Sequence, residues 1–556
     1  MPSSTVNLLS SDLFKHHYGS DPQGKHLERS YHRARAVARH WGLTLDDILS
    51  LTPRFWHAHT DGITLRDTVA HTIFTIHYNL VAGTIAPYAL ERPDLQPLMK
   101  QILHFDVVGG YMLNEVGHGC DARNIETTAT WQSDGGFVLN TPSPNARKFM
   151  PPTIPVAGIP RIAIVFARLL VEGEDRGIRP FVVHINNGWQ MRHGIRAWRL
   201  PVIASGRMLH HDLTSFSHVH LPSTALLGKI ARPSNMRDQY LSSIHRLSVG
   251  AIVLSLWVIP FLKCAAYVVG KYSQHRTVQQ GVRGERVPII TFRTQQLPIT
   301  HALAEAAVLE PFADWIAAQH RSPSLSPATK HGLSVILKVI FLQNGRGSLS
   351  ELIERSGAQG MFPDNELIKL ESLTRIVGIA EGEVLVLSIR FATEMLLGRY
   401  SVPDAKKPGS LLAQHETGFI GELRKLRQSF KEHRGEDYNH YLLPQCRPMV
   451  LAIGQRMVYE AAVERGVDRD LLALYEAGAV KSDSSWYVEQ LGLSRAAQFD
   501  RERQACDAVM AQLDRHLDGL DIEPYCTAPM LSASRWDRFL NSAPLYTGLG
   551  GSRAGR

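Results

Sequence analysis

Apolar residues recur at spacings of three and four through HLERSYHRARAVARHWGL and TLRDTVAHTIFTIHYNLVAGTI, so the chain from about residue 23 to 108 is predicted to be helical. The texture then changes. ETTATW and FVLNTPS flank the turn Gln132–Gly136 and read as a hairpin. IAIVFARLLVEG and IRPFVVHI continue the strand pattern on either side of a turn expected at Glu174–Gly177, and short apolar runs persist to about LPSTALLG. From about Asp238 the helical period returns through ITHALAEAAVLEPFADWIAAQ, LSVILKVIFLQ and EGEVLVLSIRFATEMLLGRY. A polar linker with proline and glycine, Pro403–Gly409, separates these from further helical segments reaching about Leu520.

The expected fold is therefore mainly α with a central β barrel or sandwich. Its parts are an N-terminal helical domain (1–108), the β domain (109–237), a helical bundle (238–402) and a second helical domain (411–545). With 556 residues and roughly 100 to 200 per domain, several cores are expected. There is no internal repeat of 20 to 50 residues. The last ten residues read as a loose tail, and the GLGGSRAG within them lacks the strand and helix of a phosphate loop.

One stretch is apolar enough to suggest a membrane span. Ser248–Gly270 is interrupted by Pro260 and Lys263, and it reads better as a buried core helix. The N-terminus lacks the pattern of a secretory signal, and Ala554-Gly555-Arg556 is not a Ser-Lys-Leu type address. An intracellular protein, cytoplasmic or peroxisomal, is expected.

The formal charge of +8 is spread rather than gathered into dense basic runs, which argues against nucleic acid and suits a small polyanion such as a nucleotide cofactor or a CoA carrier. Five cysteines without a C-x-x-C pair indicate neither a disulfide framework nor a zinc site. His210-His211 and His218/His220 have no second cluster of carboxylates to complete a metal site, so no metal is expected.

The most informative run is Tyr111-Met-Leu-Asn-Glu-Val-Gly-His-Gly-Cys120-Asp-Ala-Arg-Asn-Ile-Glu-Thr-Thr128. Gly117 and Gly119 permit a sharp turn and a close backbone approach to a planar ligand, although a Gly-x-Gly before a strand is more often only a turn. By the same logic Arg276 alone is a surface charge, Gly357 and Gly360 are helix-ending glycines, and Glu381 is an acidic residue that complements the start of a helix.

In order, however, these segments resemble the acyl-CoA oxidase signature. LNEVGHGCDARNIETTATW followed by FVLNTPSPNARKFMPP is similar to T-E-x-G-H-G-x-x-x-R-x-x-E-T-T-A-T, F-x-L-x-[ST]-P and K-[WF]-x-P. GEDRGIRPFVV, YSQHR, FRTQQ, SGAQG and IAEGE follow in family order, so the resemblance covers about residues 23 to 400. It implies an acyl-CoA oxidase/dehydrogenase-like flavoprotein with FAD held at a subunit interface, and hence a homodimer. Asn114, Gly117 and Gly119 would line the flavin, with Phe149 and Met150 completing its contacts. Arg276 would face the FAD diphosphate with Gln296 nearby, and Gly357 and Gly360 would receive the adenylate half. Cys120 and Arg123 take positions on the acyl-CoA path. Glu381 matches the family base, and Glu383 lies close to the flavin.

The implied chemistry is loss of a proton α to the thioester and transfer of the β-hydrogen as hydride to the flavin, which is reoxidised either by O₂, with release of hydrogen peroxide, or by an electron-transfer partner. An α proton is too weakly acidic for a free carboxylate. The site must polarise the carbonyl, exclude water and raise the pKa of its base. Five residues depart from the pattern: Asn114 for threonine, Pro152-Thr153 for Gly-Gly, Gln359 for histidine and Val384 for asparagine. Pro152 also removes a backbone N–H donor. These departures leave two other readings open beside oxidation of an acyl-CoA. One is a family member turned to a non-CoA substrate of specialised metabolism; the other is a catalytically silent homologue that binds flavin or an acyl ligand.

Overall fold

The structure, a computed structural model, describes residues 5–15, 23–203, 209–281, 284–430, 432 and 435–546. The C-terminal GLGGSRAG run lies outside them. The described residues form two compact units. Of the described residues, one comprises the chain up to Phe14, the chain from Gln23 to Leu254 and the short segment Glu381–Glu383; the other comprises Lys15, Ser255–Ala380 and the chain from Val384 onward.

The first unit begins with helices, as the three-and-four spacing predicts. Local chemistry sets their ends. Thr44 accepts from the Asp47 N–H while the Asp47 carboxylate accepts from the Thr44 N–H, and Asp67 caps the helix Thr68–Thr75 through the Ala70 N–H. That helix runs on into a wider π-helical turn at Ile76–Ala82, a local feature that often accompanies functional sites.

The β domain holds two sheets. One has six strands, with Val108–Met112 and Thr128–Trp131 each parallel to the long strand Arg161–Val171 and the hairpin partner Phe137–Asn140 antiparallel. The other pairs Lys148–Phe149, Asp212–Phe216 and Ile195–Arg199. Residues from both, including Leu139, Val165, Phe181, Ile195 and Phe216, share one apolar core, which makes the domain a sandwich.

The turn expected at Glu174–Gly177 lies elsewhere. Strand Glu174–Asn186 already includes those residues, and the chain reverses at Glu172 and Gly173, which have φ of 51° and 82°. Polarity misled the reading, because Asp175 is in the strand and pairs with Arg168 across it at 2.6 Å. A register shift between Arg168 and Leu170 accommodates the offset.

The second unit is a set of long helices, among them Arg293–Arg321, Pro327–Arg355 and Cys446–Arg465. Their ends follow sequence: Ser326 caps the Thr329 N–H with Pro327 in the first turn, and Gly466 closes the third in the left-handed conformation at φ 76°. The apolar run at Ser248–Gly270 is helical and interior to the chain, with 94% of its most apolar window buried. Pro260 sits in the first turn of the helix Val258–His275, where no N–H is required.

The cysteines meet in a way that spacing does not reveal. Cys264 and Cys526 lie 3.6 Å apart, and Cys264 donates to the Glu366 carboxylate at 3.1 Å. Glu366 also accepts from the Thr527 N–H. Proximity to Cys526 and burial raise the Cys264 thiol well above its ordinary value, so it stays protonated and the cluster closes on itself as a hydrogen-bonded knot.

Candidate active site

Glu381 is not part of the apolar helix that follows it. Its backbone is left-handed, with φ 53°, Gly382 follows at φ 99°, and the helix begins only at Val384. A left-handed glutamate is sparsely allowed and needs support from its surroundings. Glu381 therefore belongs to the first unit, where its side chain lies over the helix Arg246–Ser255. A Cβ built on Gly250 would fall 1.2 Å from Glu381 Oε2 and 2.9 Å from Asn79 Nδ2, so the absent side chain makes room for the carboxylate.

Asn79 comes from the π-helical turn, and its Nδ2 donates to the Arg246 carbonyl at 3.3 Å. Arg246 is buried. Its Nε donates to the Asn79 carbonyl at 2.9 Å and Nη1 to the Ile48 carbonyl at 3.2 Å, with Cζ 5.5 Å from the Phe55 ring centre. Burial lowers its pKa to about 10, with the charge of Glu381 acting in the opposite direction, so the guanidinium remains charged at neutral pH and faces the carboxylate. Tyr111, on the strand Val108–Met112, joins this group. Burial first, then the charges of Glu381 and Tyr240, push its hydroxyl well above the usual tyrosine range.

The loop that follows Tyr111 is held by a buried ion pair. Lys148 Nζ lies 2.9 Å from Glu115 Oε1 and also donates to the carbonyls of Leu113 and Phe166. The other lone pairs of Glu115 take the N–H groups of Glu126 and Thr127. Burial lowers Lys148 to about 8, with Glu115 opposing that shift. On this frame Asn114 is exposed and its carbonyl accepts from Phe149 N–H at 3.0 Å; Gly117 donates to Asn145, and Phe149 is 41% exposed. The Met150 carbonyl meets His211 Nδ1 at 2.9 Å. Nothing lies within 4 Å of a Cβ built on Gly119, so space rather than packing surrounds it. Cys120, at φ 55°, and Arg123 are both exposed on the same loop.

The substituted Pro152-Thr153 pair is seated on Asp212, whose Oδ2 accepts from the N–H groups of Thr153 and Ile154 at 2.6 and 3.0 Å. The Thr153 carbonyl takes Asn186 Nδ2 at 2.7 Å. This corner thus has its own hydrogen bonds within the chain.

In the second unit, four further residues gather near one another. Arg276 is exposed at the end of the helix Val258–His275, and its carbonyl accepts from Ile289 N–H. Gln296 donates to Ile290, one residue on. Its neighbour Gln295 is the buried member of the pair and reaches Ser273 Oγ and the Arg355 carbonyl, which leads directly into the turn Gly357–Met361. Gly357 has φ 59° with nothing within 4 Å of a built Cβ, whereas a Cβ at Gly360 would strike the Ile353 carbonyl at 2.8 Å. Gln359 uses its carbonyl to accept from Asn365. Glu383, which belongs with Glu381 to the first unit, is half-buried.

The residues named from sequence thus lie at Glu381, on the 114–150 loop, and around Arg276 and Gly357. Arg246, Asn79 and Gly250 were missed, and Tyr111 was quoted without a role. No motif marks the first three, because only the fold brings residues 79, 246 and 381 together.

The chain runs helical, β, helical, with the Glu381 carboxylate set beside the glycine-bearing helix Arg246–Ser255. No protein-family model matches the chain. It is 24% identical over 443 residues to acyl-coenzyme A oxidase acox-3 of Caenorhabditis elegans, covering 73% of this chain and 64% of that protein. Against acyl-coenzyme A oxidase 1 of Drosophila melanogaster it is 24% identical over 388 residues, covering 64% and 56%. The matches therefore span less than two thirds of these relatives. Among solved structures, acyl-CoA oxidase 3 of Yarrowia lipolytica superposes with a TM-score of 0.79 at 16% identity, covering 97% of this chain and 88% of that one. Caenorhabditis elegans acyl-CoA oxidase-1, solved with FAD and ATP, gives 0.71 at 15% identity, covering 96% of each. The chain is thus similar in sequence to acyl-CoA oxidases and shares the fold of the solved ones.

Proposed function

We propose that the chain carries out FAD-dependent α,β-dehydrogenation of an acyl thioester such as an acyl-CoA, with Glu381 as the base that removes the α proton and O₂ as the terminal acceptor, giving hydrogen peroxide. The observation that carries this is the carboxylate of Glu381, held over Gly250 with Arg246 close by. Burial in a group of fixed dipoles suits a base that must meet a weak carbon acid.

The residues present fit a flavin. In the first unit Gly119 has open space where a side chain would stand and Phe149 offers an exposed ring; in the second, Gly357 has the same open space and Arg276 is an exposed cation at a helix end, suited to a diphosphate. When bound, the flavin supplies the acceptor for the β-hydrogen. The chain supplies the rest. Glu381 takes the proton, and the Glu115–Lys148 pair holds the loop that carries Asn114, Gly117 and Phe149. Cys120 and Arg123, exposed on that loop, lie on the path assigned to the CoA portion, and Glu383 assists near the ring.

Family sites shared between subunits support a homodimer, read by the mass of the holoprotein in solution. Human peroxisomal acyl-coenzyme A oxidase 3 is among the relatives, at 22% identity, which supports a peroxisomal residence testable by fractionation.

The decisive experiment is the visible spectrum of the purified protein before and after anaerobic octanoyl-CoA, followed by air. Bleaching, then recovery with peroxide, is expected, and Glu381→Gln should retain flavin without bleaching. Flavin that stays oxidised would point to a non-CoA substrate; a colourless protein would indicate the silent homologue.

A further inference from the structure

Unusual polarity surrounds the base. His71, Thr75, Asn79 and Gly83 recur every four residues along the helix and the π-helical turn that follows it, and all four are buried. Asn79 and Gly83 pack on the helix below Glu381: a Cβ on Gly83 would fall 2.1 Å from Arg246 Nε, and Asn79 Nδ2 and Glu381 Oε2 both lie within 3 Å of one point above Gly250. An acyl-CoA with a plain alkyl chain calls for an apolar wall here. Instead the wall carries hydrogen-bonding groups.

Several of those groups find no protein partner. Thr75 Oγ1, Asn79 Oδ1, Arg246 Nη2 and the Tyr111 hydroxyl are buried without a hydrogen bond among the described residues. Folded proteins pair nearly all such atoms, and leaving several orphaned in one place is costly. Their chemistry is mixed: Arg246 Nη2 is a donor, Asn79 Oδ1 an acceptor, and the two hydroxyls are both. A second carboxylate would be a poor match, because Arg246 is the one guanidinium in this group and already faces Glu381. A neutral oxygen that accepts, or both accepts and donates, matches the set.

We propose that the acyl half of the substrate carries a hydroxyl or oxo oxygen a few carbons beyond the reacting Cα–Cβ bond, and that Thr75, Asn79 and Arg246 bind it. This rests on the reading of Glu381 as the base of an acyl thioester dehydrogenase and names the class of acyl chain for that site. Asn79 marks the end of the stripe near the base, and Thr75 lies one turn away, about 5 Å along the helix, which places the oxygen beyond the reacting carbons. A site built to hydrogen-bond such an oxygen discriminates strongly against the analogue that lacks it, because its own groups are then buried unpaired.

The test compares octanoyl-CoA with 5-oxo-, 6-hydroxy- and 7-hydroxyoctanoyl-CoA on the flavin-loaded full chain. At least one oxygenated thioester should exceed octanoyl-CoA ten-fold or more in kcat/KM. Thr75→Val and Asn79→Leu, each checked for a wild-type melting profile, should shrink that ratio at least ten-fold. Octanoyl-CoA turned over as well as every oxygenated probe would overturn the proposal, as would a ratio unmoved in both folded variants; trapped water would then be the partner of the orphaned groups. Flavin that no thioester bleaches would instead remove the dehydrogenase reading on which the proposal rests, and the proposal with it.

Discussion

The carboxylate of Glu381 occupies the space directly above Gly250, where an added methyl carbon would stand 1.2 Å from Oε2. The two residues are 131 positions apart and fix the geometry of this carboxylate more tightly than does the helix that follows Glu381, because the left-handed backbone at 381 aims the side chain back at the helix Arg246–Ser255.

If Glu381 is the proposed base, Gly250→Ala should displace it while leaving the loop 114–150 intact. Misplacement by an ångström is enough to cost proton transfer about a hundred-fold. The expected result is at least that loss in the rate of flavin bleaching by substrate, with flavin content unchanged. A variant that bleaches at the wild-type rate would show that the carboxylate does not act from this position.

Lys148→Met should act on the loop rather than on the chemistry. It leaves the Glu115 carboxylate buried without its cation, a change that costs about 3–5 kcal/mol. The N–H groups of Glu126 and Thr127 lose a well-placed acceptor as Glu115 shifts. Lower melting temperature and loss of flavin on gel filtration are expected together. The double variant Glu115→Gln/Lys148→Met should be less destabilised than the two single changes combined, as a double-mutant cycle would read directly.

The mainly helical architecture and the β domain were legible because they are written in local periodicity: three-and-four spacing before residue 108, alternation around the Gln132–Gly136 turn. The strand ends were not. Charged residues at Glu174–Asp175 look like a turn, yet cross-strand pairing with Arg168 keeps Asp175 in the sheet. The candidate flavin residues were legible only as an ordered set of short motifs, since each glycine alone reads as a turn. Arg246, Asn79 and Gly250 were illegible because their significance lies in contacts across 167 residues of chain, as in the bond from Arg246 to the Asn79 carbonyl. The Cys264–Cys526 approach, across 262 residues, is the same case.

Acid should loosen the N-terminal helices first. Burial holds His59 and His77 at about 4 and His71 at about 3, whereas unfolded histidines titrate near 6.5. Between those values the unfolded chain binds more protons, so stability is present above about 6.5 and is lost as pH falls toward 4, by up to about 1.4 kcal/mol per pH unit for each residue. Hydrogen exchange of the helices spanning 53–103 should accelerate over this window. His77→Gln, which removes one titrating site, should make the dependence shallower, and equal steepness would show that these histidines do not control it.

Glu305 should give the opposite slope in the second unit. Burial raises it to about 8, against an unfolded value near 4.5, with Ser348 donating to its carboxylate and opposing that shift. The folded state therefore holds a proton that the unfolded chain has already released. Its contribution is full below pH 4.5 and declines as pH rises to 8, beyond which a charged carboxylate is buried with only a hydroxyl to answer it. Glu305→Gln can accept the same hydrogen bond from Ser348 and never ionises. The variant should melt near the wild type at pH 4.5 and clearly above it at pH 8.5. A constant difference across that range would mean that Glu305 ionises in the folded chain as easily as it does in the unfolded one.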